Sequence, residues 1–443
     1  MKIGFLAMSG VRVCDEELIR IGLTLPGFVE RSETIASLPS LGLLTLAGMT
    51  PAPHERLYVE SADVEDRFHD LATCDLVAIS SLTAQSLEAY EISRRLRAAG
   101  TRTVMGGLHA TILPDEVLQH CDAVVIGEGE VSWPDVLRDL ERNQLQPRYG
   151  AVNAPFKLAD APMPAYDLLD LDRYNRITIQ TSRGCPWQCE FCASSIMLTS
   201  KYKQKPIDRV LTEVDRICEL WPRPFIELAD DNSFVNKRYW RELLPQLAQR
   251  RIRWFTETDI SVADDPDLLD LMREAGCAEV LIGLESPIPD GLPLLELKSD
   301  WKQRRADGAM AAVNRIQSRG VRVNGCFVVG LDGHTPDIFD AVYDFADRAA
   351  LFDVQITLPT PFPGTPFYKR LKSQNRLTHD GQWNRCTLFD LNFIPDPMSP
   401  EELREGFLDL MRRLYSDEFT ADRRARWKRA ALANRRSRHR RAG

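Results

Sequence analysis

No run of 18 apolar residues occurs in the 443-residue chain, which excludes a helix that crosses a membrane. The opening MKIGFLAMSG carries one lysine and no cleavage site, and reads as a first β-strand rather than a signal peptide. A disulfide framework is missing as well. Of the ten cysteines, Cys14, Cys74, Cys121, Cys218, Cys277, Cys326 and Cys386 stand singly, mostly in or beside apolar runs, as reduced core cysteines do. A reducing, cytoplasmic setting is therefore expected.

The charge is unevenly spread along the chain. From Arg423 onward, RRARWKRAALANRRSRHRRAG holds ten Lys/Arg and no acid, so the overall charge of −8 conceals a body of about −18. So acidic a body is a poor general binder of nucleic acid. The basic tail, residues 423–443, reads as a solvated helix whose like charges repel one another.

What the chain does have is two alternations of strand and helix. In residues 1–145 the runs KIGFLAM, RLYVES, LVAIS, TRTVMGG and AVVIGEGE have strand length, and segments such as SLEAYEISRRLRAAG between them have helical spacing. That order predicts a parallel α/β sheet covered on both faces, flavodoxin-like, with ligands at the carboxyl ends of its strands. Those ends carry Ser80, Ser81, Gly106, Gly107, Gly127, Glu128 and Gly129. Glycine also simply ends strands, but three small-residue ends in one sheet favour a cleft where backbone can approach a ligand. A proline-rich linker, residues 146–174, follows. Residues 175–370 then alternate again through RITIQTS, FIELADDN, RWFTETDI, EVLIGLES, RVNGCFVVGL and DVQITLPTPFPG. Six βα units fall two short of a closed (β/α)₈ barrel and predict an open partial barrel, with its active groups at the carboxyl ends of the strands. Residues 371–422 form an expected C-terminal cap, with Ser399 as helix N-cap and Pro400 at the first helical position.

Cys185, Cys189 and Cys192 lie just past the first barrel strand, in TSRGCPWQCEFCASS. Zinc usually takes four ligands, and no nearby cysteine or histidine supplies a fourth. A redox dithiol would leave Cys185 unexplained. A [4Fe-4S] cluster on three cysteines leaves one iron open to a substrate or cofactor, unlike the saturated clusters of electron carriers.

CPWQCEFC, with Phe191 at the aromatic position, resembles the signature of the radical S-adenosylmethionine (SAM) superfamily. The resemblance implies that SAM chelates the open iron and is cleaved reductively to a 5'-deoxyadenosyl radical. It further places Asp230 and Asp231, after the second strand, near SAM's ammonium, and Glu285 near the ribose or ammonium. Thr258, beside Glu257, ends the third strand.

The N-terminal half resembles the cobalamin (B12)-binding domain that precedes many radical SAM barrels, through SLPSLGLLTLAG, GGLHATILPDE and VVIGEGE. With GLDGHTPD, PFPGTPFY and LNFIPDPMSPEELREGF, the chain is similar to the hopanoid-methylating group and its relatives. Cobalamin is thereby expected on the sheet's carboxyl edge, bordered by the small residues above and by His109. The loop after the first strand, MSGVRVCDEE, lacks the Asp-x-His-x-x-Gly pattern, so no protein histidine is expected below the cobalt.

The resemblance implies transfer of a methyl group from methylcobalamin to an unactivated carbon of a small-molecule or lipid substrate, with electrons from an external flavodoxin- or ferredoxin-type donor. No acid–base residue declares itself, and hydrogen abstraction needs none. B12-dependent ring closure, rearrangement or oxidation are the alternatives. An RNA methylthiotransferase would need three N-terminal cysteines on one cluster, whereas Cys14 follows the first strand and Cys74 and Cys121 precede the third and fifth. A cobalamin carrier with a degenerate barrel would not need its three cysteines and Phe191 intact.

Overall fold

The computed structural model describes residues 1–8, 13–21, 38–194, 201–293 and 295–442, with residue 21 and residues 434–442 described by backbone alone. Six parallel strands form the first sheet: β1 (Lys2–Ala7), β2 (Glu55–Glu60), β3 (Leu76–Ser80), β4 (Arg102–Gly106), β5 (Ala123–Ile126) and β6 (Arg148–Gly150). Their order is β2-β1-β3-β4-β5-β6. The first five strands thus follow the flavodoxin-like order, which reverses between β1 and β3 and opens a crevice at the carboxyl edge.

Both faces of this sheet are covered, which is why its strands read as unbroken apolar runs. One face packs Leu6, Val77, Ile79 and Met105 against Leu71 and Leu96 of helices Val64–Ala72 and Ser86–Ala98. The other packs Ile3, Phe5 and Val104 against helices Leu41–Met49 and Gly129–Glu141, with the Phe5 and Trp133 rings 5.7 Å apart. Strand β6 falls in a stretch whose sequence reads as linker. Three residues are too few to show a period, and Tyr149 alone anchors the strand in the core.

The second sheet holds β7 (Ile177–Ile179), β10 (Phe225–Leu228), β11 (Arg253–Thr258), β12 (Cys277–Glu285), β13 (Arg322–Val328) and β14 (Asp353–Thr357). All pairings are parallel, in the order β14-β13-β12-β11-β10-β7, and the outer strands β7 and β14 do not pair. This is the expected open six-strand arrangement. Between β7 and β10 lies a two-stranded antiparallel ribbon absent from the sequence reading, β8 (Ser182–Arg183) with β9 (Lys203–Gln204).

Ser399 caps helix Pro400–Leu414 as expected. Its hydroxyl accepts from the Glu402 N–H at 3.1 Å, and Glu402 accepts in return from the Ser399 N–H at 2.8 Å. The last helix, Asp417–Ala442, differs from a solvated tail at its start. Arg423 is 1% exposed and donates to the carbonyls of Leu351 at 2.6 Å and Leu414 at 3.3 Å. Arg424 and Arg426 pair with Asp353 and Asp347. Acidic groups of the barrel thus neutralise the first basic residues and dock them.

Candidate active site

The cysteine loop is gripped by the ends of several barrel strands. Asp230, just past β10, accepts from the backbone N–H groups of Thr181 and Ser182 at 2.7 and 2.9 Å and from the hydroxyls of Thr181 and Ser233. These four donors occupy a fully buried carboxylate. Asp231 accepts from the Gly184 N–H at 2.6 Å and from the Ser194 hydroxyl, and so spans the loop on both sides of the cysteines. Both carboxylates thus anchor the cysteine loop, at the strand end where the resemblance places SAM's ammonium.

Beyond β11, Asp259 accepts from Asn232 Nδ2 at 2.8 Å and from the Trp187 indole at 3.0 Å. Asn232 Nδ2 also lies 3.8 Å from Cys185 Sγ, and Thr258 bonds the same asparagine's Oδ1 at 3.3 Å. Beyond β12, the backbone of Leu295 and Leu297 pairs with Glu190 and Gln188 at 2.8 Å each. Arg370, after β14, holds the Glu190 carboxylate with two donors. Phe191 packs against Leu292, Leu295, Val328 and Leu331.

Burial pushes the Cys185 thiol up to about 11 and Cys189 up to about 12, and Cys192 raises both while Lys302 lowers both. The enclosed thiols of Cys185 and Cys189, each within electrostatic reach of Cys192, suit a cationic centre that deprotonates them outright. Lys302 and Asn232 supply the positive charge and N–H that stabilise sulfur ligands. The residues present therefore fit a [4Fe-4S] cluster. Glu285, the expected ribose or ammonium ligand, is paired with Lys302.

In the first sheet, a cavity of about 850 Å³, counted to its open mouth, lies at the carboxyl ends of β3, β4 and β5. Ser80, Gly106, Gly107, Gly127, Glu128 and Gly129 all border it, and Leu43, Leu46, Ile79, Val125 and Trp133 make its walls apolar. Gly107 has a φ of 97°, and a Cβ there would lie 2.9 Å from the Ser81 carbonyl, so only glycine lets this rim close up. Apolar walls behind a glycine rim fit a large flat cofactor such as a corrinoid.

Ser81 and His109 do not border the cavity. His109 is fully buried in helix Leu108–Ile112, where its Nε2 meets the Tyr90 hydroxyl at 2.8 Å and Trp383 packs against the ring. Burial lowers its pKa to about 4 despite nearby Glu116, so the ring is neutral. The loop expected to lack a cobalt-ligating histidine lies partly outside the described residues, 9–12.

Sequence reading missed Arg183, Asn232, Asp259 and Lys302. Arg183 directly precedes Gly184 and Cys185, a position that could have flagged it, whereas nothing local marks Lys302. Arg183 also borders the cavity of the first sheet.

Three family models match successive parts of the chain. Residues 36–137 match the B12 binding domain, 179–346 the radical SAM superfamily, and 365–442 a domain of unknown function. An uncharacterised methyltransferase of Synechocystis sp. is 32% identical, over 87% of this chain and 72% of its own. The hopanoid C-2 methylase of Rhodopseudomonas palustris is 28% identical, over 79% of this chain and 67% of its own. The fold is that of the radical SAM methyltransferase TsrM from Kitasatospora setae, solved with cobalamin and a [4Fe-4S] cluster, at a TM-score of 0.68, 15% identity and full coverage of both chains. Several relatives are named methyltransferases, and the chain belongs to the B12-binding radical SAM enzymes, with a [4Fe-4S] cluster, SAM and cobalamin as cofactors.

Proposed function

We propose that this enzyme methylates an unactivated carbon of a small-molecule or lipid substrate. One observation carries the reading: the glycine-rimmed cavity and the cysteine loop meet at Arg183, which borders the cavity and stands two residues before Cys185. Two cofactor sites so joined suit a reaction that needs both at one substrate. Cys185, Cys189 and Cys192 would hold the cluster, and Ser80, Gly106, Gly107, Gly127, Glu128 and Gly129 would border the corrinoid. When bound, the cluster with SAM supplies the radical that abstracts hydrogen, and the corrinoid supplies the methyl group.

The chain's own residues do the positioning. Asp230 and Asp231 fix the path of the cysteine loop through backbone N–H groups. Asn232 directs an N–H at Cys185, and Lys302 sets a positive charge near Cys185 and Cys189. The stacked Trp187 and Trp301, 4.5 Å apart, put bulky apolar surface beside the loop and help keep water from a radical.

The hopanoid methylase among the relatives supports a lipid or other largely apolar substrate. Electrons would come from a flavodoxin- or ferredoxin-type donor in the cytoplasm. The test is anaerobic reconstitution, followed by assay with methyl-labelled SAM and a panel of apolar small molecules and lipids. About four irons and one cobalamin per chain, with label in the product, are the expected result. A ring-closed or oxidised product without label would favour a B12-dependent cyclase or oxidase instead.

A further inference from the structure

The corrinoid cavity and the cysteine loop share one side chain. Arg183 donates from Nη1 to Glu128 Oε1 at 2.6 Å and from Nη2 to Glu130 Oε1 at 2.8 Å. Its Nε and Nη2 also reach Gln180 Oε1, at 3.1 and 2.9 Å. Lys203, paired with Arg183 across the β8–β9 ribbon, closes on the second oxygen of Glu128. Two carboxylates at the rim of the first sheet thus face two cations beside the second, and all four side chains are at most 23% exposed. Burial raises the energy of the Glu130 carboxylate, yet the Arg183 charge holds its pKa below the usual carboxylate range.

A buried set of charges is a poor device for simple adhesion, because apolar contacts of the same size usually hold as well or better. What ion pairs add is register. A guanidinium fork donates to two carboxylates in one orientation, which a lysine ammonium does not enforce. Arg183 also stands two residues before Cys185, on a segment held by Asp231. Gly184 follows with a φ of 90° and donates its N–H to Asp231, and Cys185 comes next. A shift of the guanidinium is therefore passed to the cluster loop within two residues.

We infer that Arg183 is a positioning residue that sets the separation and orientation of cobalamin relative to the cluster. The inference rests on placing cobalamin in the cavity at β3–β5. Reacting groups displaced by about 1 Å can lose on the order of 100-fold in rate, so a clamp between the two cofactor sites has a direct chemical use.

The experiment uses the full chain loaded with cluster and hydroxocobalamin, as wild type, Arg183→Gln, Arg183→Lys, Glu130→Gln and the Arg183→Gln/Glu130→Gln double variant. Iron and cobalamin contents come first, then an optical titration with hydroxocobalamin. The deciding readout is electron paramagnetic resonance of cob(II)alamin with the cluster reduced, because dipolar broadening reports the separation of the two spins. Wild type is expected to show broadening that Arg183→Gln and Arg183→Lys both change, with affinity for hydroxocobalamin about tenfold weaker. The double variant is expected to be no worse than Arg183→Gln alone, since both act through one contact. Unchanged broadening in Arg183→Gln with both cofactors bound overturns the inference, as does full rescue by lysine, which would mark charge alone. If either arginine variant loses cobalamin altogether, Glu130→Gln supplies the same spectral comparison with the arginine in place. A wild type that takes up iron and no cobalamin shows instead that the cavity assignment is wrong, and the inference falls with it.

Discussion

Lys302, on helix Trp301–Ala306, pairs with Glu285 at the end of β12, while its backbone N–H donates to Glu296 at 2.8 Å. Burial works against the lysine's charge, but Glu285 and Cys189 beside it hold its pKa well above the ordinary lysine value. Glu285 adopts a left-handed φ of 60°, uncommon outside glycine. Its carboxylate folds back over Gly283, where an added Cβ would lie 2.5 Å from Glu285 Oε1. The pair therefore depends on both the lysine and that glycine.

Replacing Lys302 with methionine should leave Glu285 buried and uncompensated, at a cost of about 3–5 kcal/mol. It also removes the cation nearest the candidate cluster thiolates, so iron retention should fall and the cluster potential should become more negative. Chemical denaturation and an anaerobic redox titration measure the two effects. Full iron at an unchanged potential would show that the ion pair serves the fold alone.

Asp231 separates two duties that its sequence leaves open. As a loop anchor, its replacement by alanine frees the Gly184 N–H and the Ser194 hydroxyl, and cluster content should drop severalfold. SAM affinity per remaining cluster should stay close to wild type. Had the carboxylate held the ammonium of SAM, the pattern would reverse, with full iron and SAM binding weakened tenfold or more. Iron analysis with equilibrium dialysis of SAM tells them apart.

The contrast shows what was legible in advance. Strands β1 to β5 and the six barrel strands are apolar runs set between helical periods, so order and type could be read directly. Ser399 with Glu402 three residues later is a local signal, and it caps as such a pair should. The ribbon β8–β9 spans two residues per strand, too short for any period. Arg183 and Lys302 resemble surface residues in sequence, because their burial depends on Glu128, Glu130 and Glu285, distant in the chain or across a turn. Asp230 and His109 were visible as polar groups at strand ends, but not the donors of Thr181 and Ser182 or the Tyr90 hydroxyl that engage them.

Glu257, on β11, keeps an exposed side chain that is nevertheless crowded by other carboxylates. Burial, and then the charges of Glu227, Asp231 and Asp230, raise its pKa from 4.5 to about 8. The folded state therefore binds a proton that the unfolded chain releases. The stability this proton confers is complete below about pH 4.5 and is lost as pH rises through about 8. Glu257→Gln should flatten that decline and gain stability over wild type most at pH 9. Thermal melts of both proteins from pH 5 to pH 9 measure it, and parallel curves would place the carboxyl pKa near its ordinary value.

Arg423 makes the clearest test of the basic tail. Its guanidinium donates to the Leu351, Phe352 and Leu414 carbonyls and lies 4.9 Å from the Phe419 ring centroid, while burial lowers its pKa to about 10. The carbonyls it serves cap the junction between helix Pro400–Leu414 and the loop before β14, so the side chain ties the C-terminal helices to the barrel. Arg423→Ala should strand those acceptors without water and cost about 2–4 kcal/mol. Ending the chain after Asp422 should cost at least as much, because the Arg424–Asp353 and Arg426–Asp347 pairs go too. Ending it after Ala433 keeps every one of these contacts and should change the melting temperature by no more than a degree or two. Equal losses from the two truncations would mean that the final ten residues also dock on the body, and that their charge is not merely solvated.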